Sequence, residues 1–600
     1  MNNIKIYILT LVTSFLVLSS CKDALDVAPK NIIQSDIIFS DESAIEAYLA
    51  SLYYELPVED FRFAPNGGFN RSGTGTGGTS LAHLSDEALT TTASSDIGSG
   101  SALGYFPYSS IRNVNAFIEK IPSSPLASDK KNQWLGEAKF IRAYYYFGLV
   151  KRYGGMPLIT TTQNFDGTNL GELQVPRNTE KELYDFIGKE LDEAAALLRP
   201  SSPSGRANKY VAYTLKSRAM LYAASIAKYG TVELDGLVGI PASSANTYWQ
   251  AAYDAAKQVI GKYSLYNKNA NKSQNFADLF LDANNPEIIF VKNFKEAAGN
   301  SHSYDLFNVP YGVRAPSGYG GRISPTVELS EAYEYINDAN GALKITDGSG
   351  NPIKYPDVLS LFANKDPRLA ATFILPFSTW RGTTIDVQAG LINGTNTITT
   401  GDYNTKFNTP SGPIDIIGRN GIGGSGGERT QTGFYIRKYL DPGKEPSSIS
   451  GTSGEQQFID FRFAEVLLNY AEAAVELGGS AKIADAKSAI NDIRARAGIQ
   501  LLSDAEVTRD RIRRERQVEL AFESHRYWDI RRWRIADQVL NNKNFAVLMP
   551  YRVLDDSPNT FIFKKVPSPS TKNFLPKLYY EQIPTGEIAK NPKLIQNPLY

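Results

Sequence analysis

Apolar residues recur at helical spacing over most of this chain. Phe463, Val466, Leu467, Tyr470, Ala471, Ala474 and Leu477 follow the i, i+3, i+4, i+7 rule and line one face. Gly478-Gly479 stops that helix. Ala486, Ile490, Ile493 and Ala497 line a second one that ends before Gly498, so the pattern predicts a tight helical hairpin. Leu183, Ile187, Leu191, Ala194 and Leu198 form another stripe after a capping box of Thr179 and Glu182, with Pro200 and Pro203 beyond its end. Two more run through Ala212, Leu215, Ala219, Tyr222, Ala223 and Ile226, and through Ala252, Ala256, Val259 and Tyr263. Ala and Tyr at these positions predict closely approaching, tetratricopeptide-like helix pairs without the strict 34-residue repeat. A short apolar run, Ile288 to Val291, predicts an isolated strand.

Between the helices lie stretches rich in Gly, Ser, Thr and Asn: 64–80, 94–104, 295–322 and 380–433. Loops longer than about 15 residues are uncommon in compact domains and usually carry function or are disordered. A helical frame bearing large loops is a layout for binding. The glycine clusters at 73–78 and 421–427 lack both a Gly-Lys-Ser/Thr ending and a preceding apolar strand, so neither is a phosphate cradle.

The N-terminus has a different pattern. Lys5 precedes an apolar run from Ile6 to Leu18, which ends in Leu18-Ser19-Ser20-Cys21. This order is that of an exported precursor cleaved before Cys21, and the run is shorter than the roughly 20 residues that span a bilayer. Cys21 is the only cysteine of the 600-residue chain, which makes it the candidate lipid attachment point. Lys22-Asp23 resembles a short surface-export tag.

Charge adds an exclusion. Lys plus Arg and Asp plus Glu number 63 each, so no global field favours nucleic acid. Residues 509–534 hold nine arginines against five acids, but Asp510–Arg514 and Arg511–Glu515 stand four apart and predict pairing along a helix. Interleaved Val518, Leu520, Phe522, Tyr527, Trp528 and Trp533 predict a buried arginine network bracing helices. Only three histidines exist (His83, His302, His525), with no HExxH, CxxC or nucleophile elbow, so the sequence predicts neither a catalytic centre nor a transition-metal site. An oxygen-only calcium site stays open, because Asp, Asn and Gly are abundant in the long loops.

GEAKFIRAYYYFGLVKRYGGMPLI (136–159), DFRFAEVLLNYAEAAVELG (460–478), IRRERQVELAFESHRYWDIRRW (512–533) and the closing IPTGEIAKNPKLIQNPLY (583–600) resemble the signature segments of the SusD/RagB family of glycan-binding surface lipoproteins. ISPTVELSEAYE (323–334), NKDPRLAATFILP (364–376) and GFYIRKYLDP (433–442) fit the same pattern. The resemblance implies a mostly α-helical SusD-like fold with four TPR-like helix pairs, long irregular ligand-binding loops and minor β structure. It implies a signal peptide over 1–20, an N-terminal part with TPR-like helices over 21–280, and a C-terminal part over 281–600 that forms one compact unit with it. The implied role is binding a poly- or oligosaccharide at the cell surface and passing it to a SusC-like TonB-dependent transporter in the outer membrane, without catalysis and without a cofactor. A peptide-binding member of the same scaffold, or a glycan-cleaving enzyme, is the alternative.

In such a protein, ligand groups sit on loops. A sugar ring needs an aromatic platform for its CH face and amide, carboxylate or guanidinium partners for its hydroxyls. The candidates are Phe69, Asn70 and Arg71 in the first Gly-rich loop, and Tyr105, Phe106 and Tyr108 before the next helix. Tyr304, Phe307, Tyr311, Arg314 and Tyr319 follow between 301 and 322, with Trp380 and Arg381 after Pro376. Trp380, the only tryptophan in a Gly-rich non-helical setting, is the first choice among them.

Overall fold

The computed structural model describes residues 35–65, 68–69, 80–90, 103–314, 318–422, 427–445, 448–449, 451 and 453–600. Cys21, Asn70 and Arg71 lie outside the described residues. Eight long helices form the scaffold: α1 (Glu42–Tyr54), α2 (Tyr108–Lys120), α3 (Ser128–Tyr153), α4 (Glu180–Leu197), α5 (Lys209–Tyr229), α6 (Ala245–Val259), α7 (Phe463–Leu477) and α8 (Ser480–Ala497). They stack as four pairs. Each packs on the next from α2 through α8, although some 200 residues of chain separate α6 from α7. The protein is mostly α-helical with minor β structure, as the sequence pattern predicts.

Local chemistry sets the helix ends. Thr179 accepts from the Glu182 amide while Glu182 reaches back to the Thr179 amide, closing the capping box at the start of α4. Gly478 and Gly479 stand at φ 74° and 90°, a backbone that only glycine adopts without strain, and so turn α7 into α8 in two residues. α3 is buried on all sides from Gly136 to Tyr153 apart from occasional polar positions. A Cβ at Gly136 would stand 2.9 Å from the Leu198 Cγ, so glycine there lets α3 touch the end of α4.

The strand at Ile288–Lys292 (β2) is not isolated. It pairs antiparallel with Phe458–Arg462 (β6), Ile459 opposite Val291. β6 is buried at every position, so it shows no alternation by which the sequence could reveal it. The remaining sheet structure includes β1 (Ala88–Thr90) on β3 (Ile323–Pro325) and a four-stranded sheet in the order β5 (Asn396–Ile398), β4 (Gly390–Asn393), β7 (Lys543–Val553), β8 (Thr560–Lys572). β4 runs parallel to β7.

The arginine-rich stretch forms α9 (Arg509–Glu519) and α10 (Arg526–Arg532). Its arginines brace the core, but through tertiary pairs and not the predicted i, i+4 pairs. Arg511 pairs with Glu334 at 2.7 Å, Arg514 donates to the carbonyls of Ala332 and Ala339, and Glu515 takes Arg368 and Arg494 at 2.6 and 2.8 Å. Glu519, fully buried, accepts from Arg368, Arg462 and Arg496. The elements packed against α9 supply the acceptors, a carboxylate for Arg511 and carbonyls for Arg514, in place of neighbours on the same helix.

Candidate functional site

Two loops away from the helix stack meet in an aromatic and guanidinium cluster. The described part of the first comprises 307–314 and 318–322, and that of the second 403–422, which includes a small hairpin of Lys406–Thr409 with Gly412–Asp415, and 427–429. They are latched by backbone amides. Gly312 N–H donates to Asn420 Oδ1 at 2.6 Å, and Gly320 N–H to Glu428 Oε2 at 3.0 Å. Arg322 closes the latch with an ion pair to Glu428 at 2.6 Å. Within this frame the Tyr311 ring has the Arg314 and Arg429 guanidinium carbons 3.8 and 4.1 Å from its centre. Tyr403 lies 6.5 Å from Tyr311, edge-on, with Arg429 at 5.1 Å and Arg419 at 5.8 Å from its own ring. Phe307 and Tyr319 pack edge to face at 5.1 Å, with Arg322 5.6 Å from each ring. Each cation–π contact of this kind contributes about 0.5–2 kcal/mol, so the rings hold the guanidiniums in place.

Phe307, Tyr311, Arg314 and Tyr319 are therefore brought together in this cluster, and Tyr319 is 42% exposed. The other candidates are elsewhere. Phe69 and Tyr105 pack on one another at 5.3 Å, each near the Arg152 guanidinium at the end of α3, and Tyr105 is buried. Phe106 packs on Tyr108, whose hydroxyl donates to the Pro157 carbonyl at 2.9 Å. Tyr304 is buried against Phe61, ring centres 4.6 Å apart, and its hydroxyl donates to the Lys438 carbonyl.

Trp380 is only 4% exposed, which removes it as an open platform. It sits in a two-residue strand pair closed by Arg381 and Gly382, both at positive φ, and this turn tucks the indole inward. Arg381 donates to the Asp441 carbonyl at 2.8 Å. A Gly-rich setting marks a turn, and a turn hides a large apolar ring as readily as it displays one.

The sequence reading missed Tyr403, Arg419, Asn420, Glu428 and Arg429. All lie in the 380–433 stretch recognised as a loop, but nothing in the sequence shows that it returns to residues 307–322.

All three histidines are buried. Burial is the first cause that pulls their pKa values down, His302 to about 4 and His83 to about 3, with His525 also well below its ordinary value. They stay neutral at pH 7 and are sealed from solvent. Among the described residues no group of three or more His, Cys, Asp or Glu is placed to hold a metal ion, and no helix is long and apolar enough to cross a membrane.

A family model described as "SusD family" matches residues 286–600, and one described as "Starch-binding associating with outer membrane" matches residues 79–221. SusD-like protein P38 of Formosa agariphila is 24% identical over 561 residues, covering 90% of this chain and 93% of that protein. A SusD-like protein of Bacteroides fragilis NCTC 9343 superposes with a TM-score of 0.66 at 23% identity, covering 96% of this chain and all of the other. A SusD-like carbohydrate binding protein of the same organism gives a TM-score of 0.63 at 22% identity, covering 93% of this chain and all of that one.

Proposed function

The chain belongs to the SusD family, and on that premise we propose that it is a lipid-anchored protein of the outer membrane, facing the cell exterior. In this reading it binds a poly- or oligosaccharide and delivers it, uncleaved, to a SusC-like TonB-dependent transporter. The observation that carries the binding role is the ring and guanidinium cluster of Tyr311, Arg314, Tyr319, Tyr403 and Arg419 on latched loops. A sugar's CH face packs on an aromatic ring, and its hydroxyls accept from guanidinium N–H groups in fixed directions. The SusD-like carbohydrate binding protein of Bacteroides fragilis supports this role, and the match of residues 79–221 to a starch-binding family that associates with the outer membrane supports the location. Leu18-Ser19-Ser20-Cys21 supports the anchor.

The test is retardation of residues 22–600 in native gels loaded with single polysaccharides. One glycan should slow the protein, and Tyr319→Ala combined with Tyr403→Ala should abolish the effect in a variant that far-UV circular dichroism shows to be folded. Equal retardation of variant and parent would remove the cluster from the site. Release of shortened sugars on incubation would overturn the non-catalytic reading. Isolation from native membranes without a co-purifying barrel would overturn delivery to a transporter.

A further inference from the structure

Two guanidiniums of the cluster, Arg314 and Arg419, have no ion pair among the described residues, in a chain whose total charges balance. Of its guanidiniums, Arg322 has Glu428. Arg314 donates one N–H to the Gly318 carbonyl at 2.9 Å and has no carboxylate within 4 Å among the described residues. Arg419 is exposed, lies over the Tyr403 ring, and has no side-chain hydrogen bond or ion pair among the described residues. Arg314 and Arg429 also act together on Tyr435. Burial raises the pKa of its hydroxyl, and these two cations oppose the rise. In the core, Arg368, Arg462, Arg494 and Arg496 each hold at least one carboxylate, and Arg177 has its donors filled by carbonyls and Asn597.

A neutral sugar offers such a face only hydroxyls. A carboxylate or sulfate offers two or more charged acceptors in the geometry of the guanidinium fork, with hydrogen bonds roughly twice as strong as neutral ones. We infer that this face is a subsite for an acidic sugar, carrying a uronate carboxylate or a sulfate ester, with Arg419 and Arg314 as the groups that read the charge and Tyr403 and Tyr319 as the adjoining ring platform. This rests on the glycan-binding reading above and names its ligand class.

Four soluble glycans form the test, as two pairs: polygalacturonate with its carboxyl-reduced counterpart, and a sulfated galactan with its desulfated counterpart. Binding is measured by titration calorimetry with the parent, Arg419→Gln, Arg419→Lys, and Lys189→Gln as a control on the exposed side of α4. At least one acidic glycan should bind about tenfold or more tighter than its neutral twin. The carboxylated or sulfated pair that responds identifies the acid. Arg419→Gln should lower that affinity about tenfold and the weak binding of the twin by a much smaller factor, Arg419→Lys should keep part of the acidic affinity, and Lys189→Gln should keep all of both. Raising the salt from about 50 to about 300 mM should weaken the acidic ligand only. Neutral twins binding as well as the acidic forms, or Lys189→Gln losing as much as Arg419→Gln, would overturn the acidic subsite and leave glycan binding standing. Failure of all four glycans, together with a neutral panel, would overturn the glycan reading and this inference with it.

Discussion

Replacing Glu472 by Gln tests whether the buried ion pairs hold the helix stack together. Glu472 lies on α7 and is almost fully buried. It accepts from Arg532 Nη1 and Nη2 at 2.6 and 2.7 Å and from the Trp533 indole N–H at 2.7 Å, so it ties α7 to the end of α10. Burial alone would raise its pKa; the Arg532 charge and hydrogen bonds, with Arg516 and Trp533, outweigh that and pull it from 4.5 to about 2. At about 1.4 kcal/mol per pH unit, the difference is worth about 3 kcal/mol of folding stability at neutral pH. Unfolding entropy of about 2.1 cal/mol/K per residue, over about 570 residues, gives about 1.2 kcal/mol/K, so the variant should melt about 3 °C below the parent at pH 7. The carboxylate pKa is depressed on folding, so its contribution is complete above about pH 4.5 and is lost as the pH falls towards 2. Since Gln imitates the protonated carboxyl, the gap in melting temperature should fall to less than half by about pH 3. Scanning calorimetry of both proteins at pH 7, 5, 4 and 3 measures it. A gap that stays constant or widens in acid would show that lost packing, not lost charge, sets the effect.

Gly155→Ala should be among the most damaging of small substitutions. Its Cβ would stand 2.0 Å from the Asn178 carbonyl and 2.8 Å from the Glu180 amide, both backbone atoms at the start of α4. A loss of about 1–3 kcal/mol or more, read as lower soluble yield and melting temperature, is expected, whereas Gly171→Ala, with nothing within 4 Å of its Cβ, should behave as the parent. Trp380→Ala should lower stability by about 3–5 kcal/mol, as buried aromatic truncations do, while the folded fraction still binds glycan. An unchanged melting temperature with binding lost would return Trp380 to the site.

What the sequence could show depended on whether one segment's pattern determined the outcome. The α7–α8 hairpin was legible because an apolar stripe, two glycines and a second stripe settle it locally. The capping box of Thr179 and Glu182 was legible for the same reason. β6 was not, since full burial erases the alternation by which a strand is recognised. The pairing within the arginine stretch was misread because i, i+4 partners compete with carboxylates brought in from 177 residues away, such as Glu334 on Arg511. At the loop face, the aromatics between 304 and 319 could be nominated from composition. Their division into exposed Tyr319 and buried Tyr304 could not, and Tyr403 and Arg419 join them only through contacts across about 100 residues.

The same reasoning separates structural arginines from recognition arginines. A guanidinium taken out of water with nothing to receive its N–H groups would cost several kcal/mol, so an arginine that braces the stack needs carboxylates, or carbonyls as Arg177 and Arg514 have. Arg368, Arg462 and Arg532 obey this rule, each with its acid supplied by another element: Glu515 for Arg368, Glu287 for Arg462 and Glu472 for Arg532. An arginine at a ligand face has the opposite requirement. A bound carboxylate of the protein's own would occupy the fork that the ligand needs, so it must be held by something that leaves its N–H groups available. An aromatic ring does this, orienting the cation through its face while competing for none of its in-plane donors. Arg419 over Tyr403 and Arg314 over Tyr311 have this arrangement. Equal totals of acidic and basic residues thus conceal an unequal distribution. Dense ion pairs such as those of Arg368, Arg462 and Arg532 lie inside the helix stack, and the loop face holds cations mounted on rings.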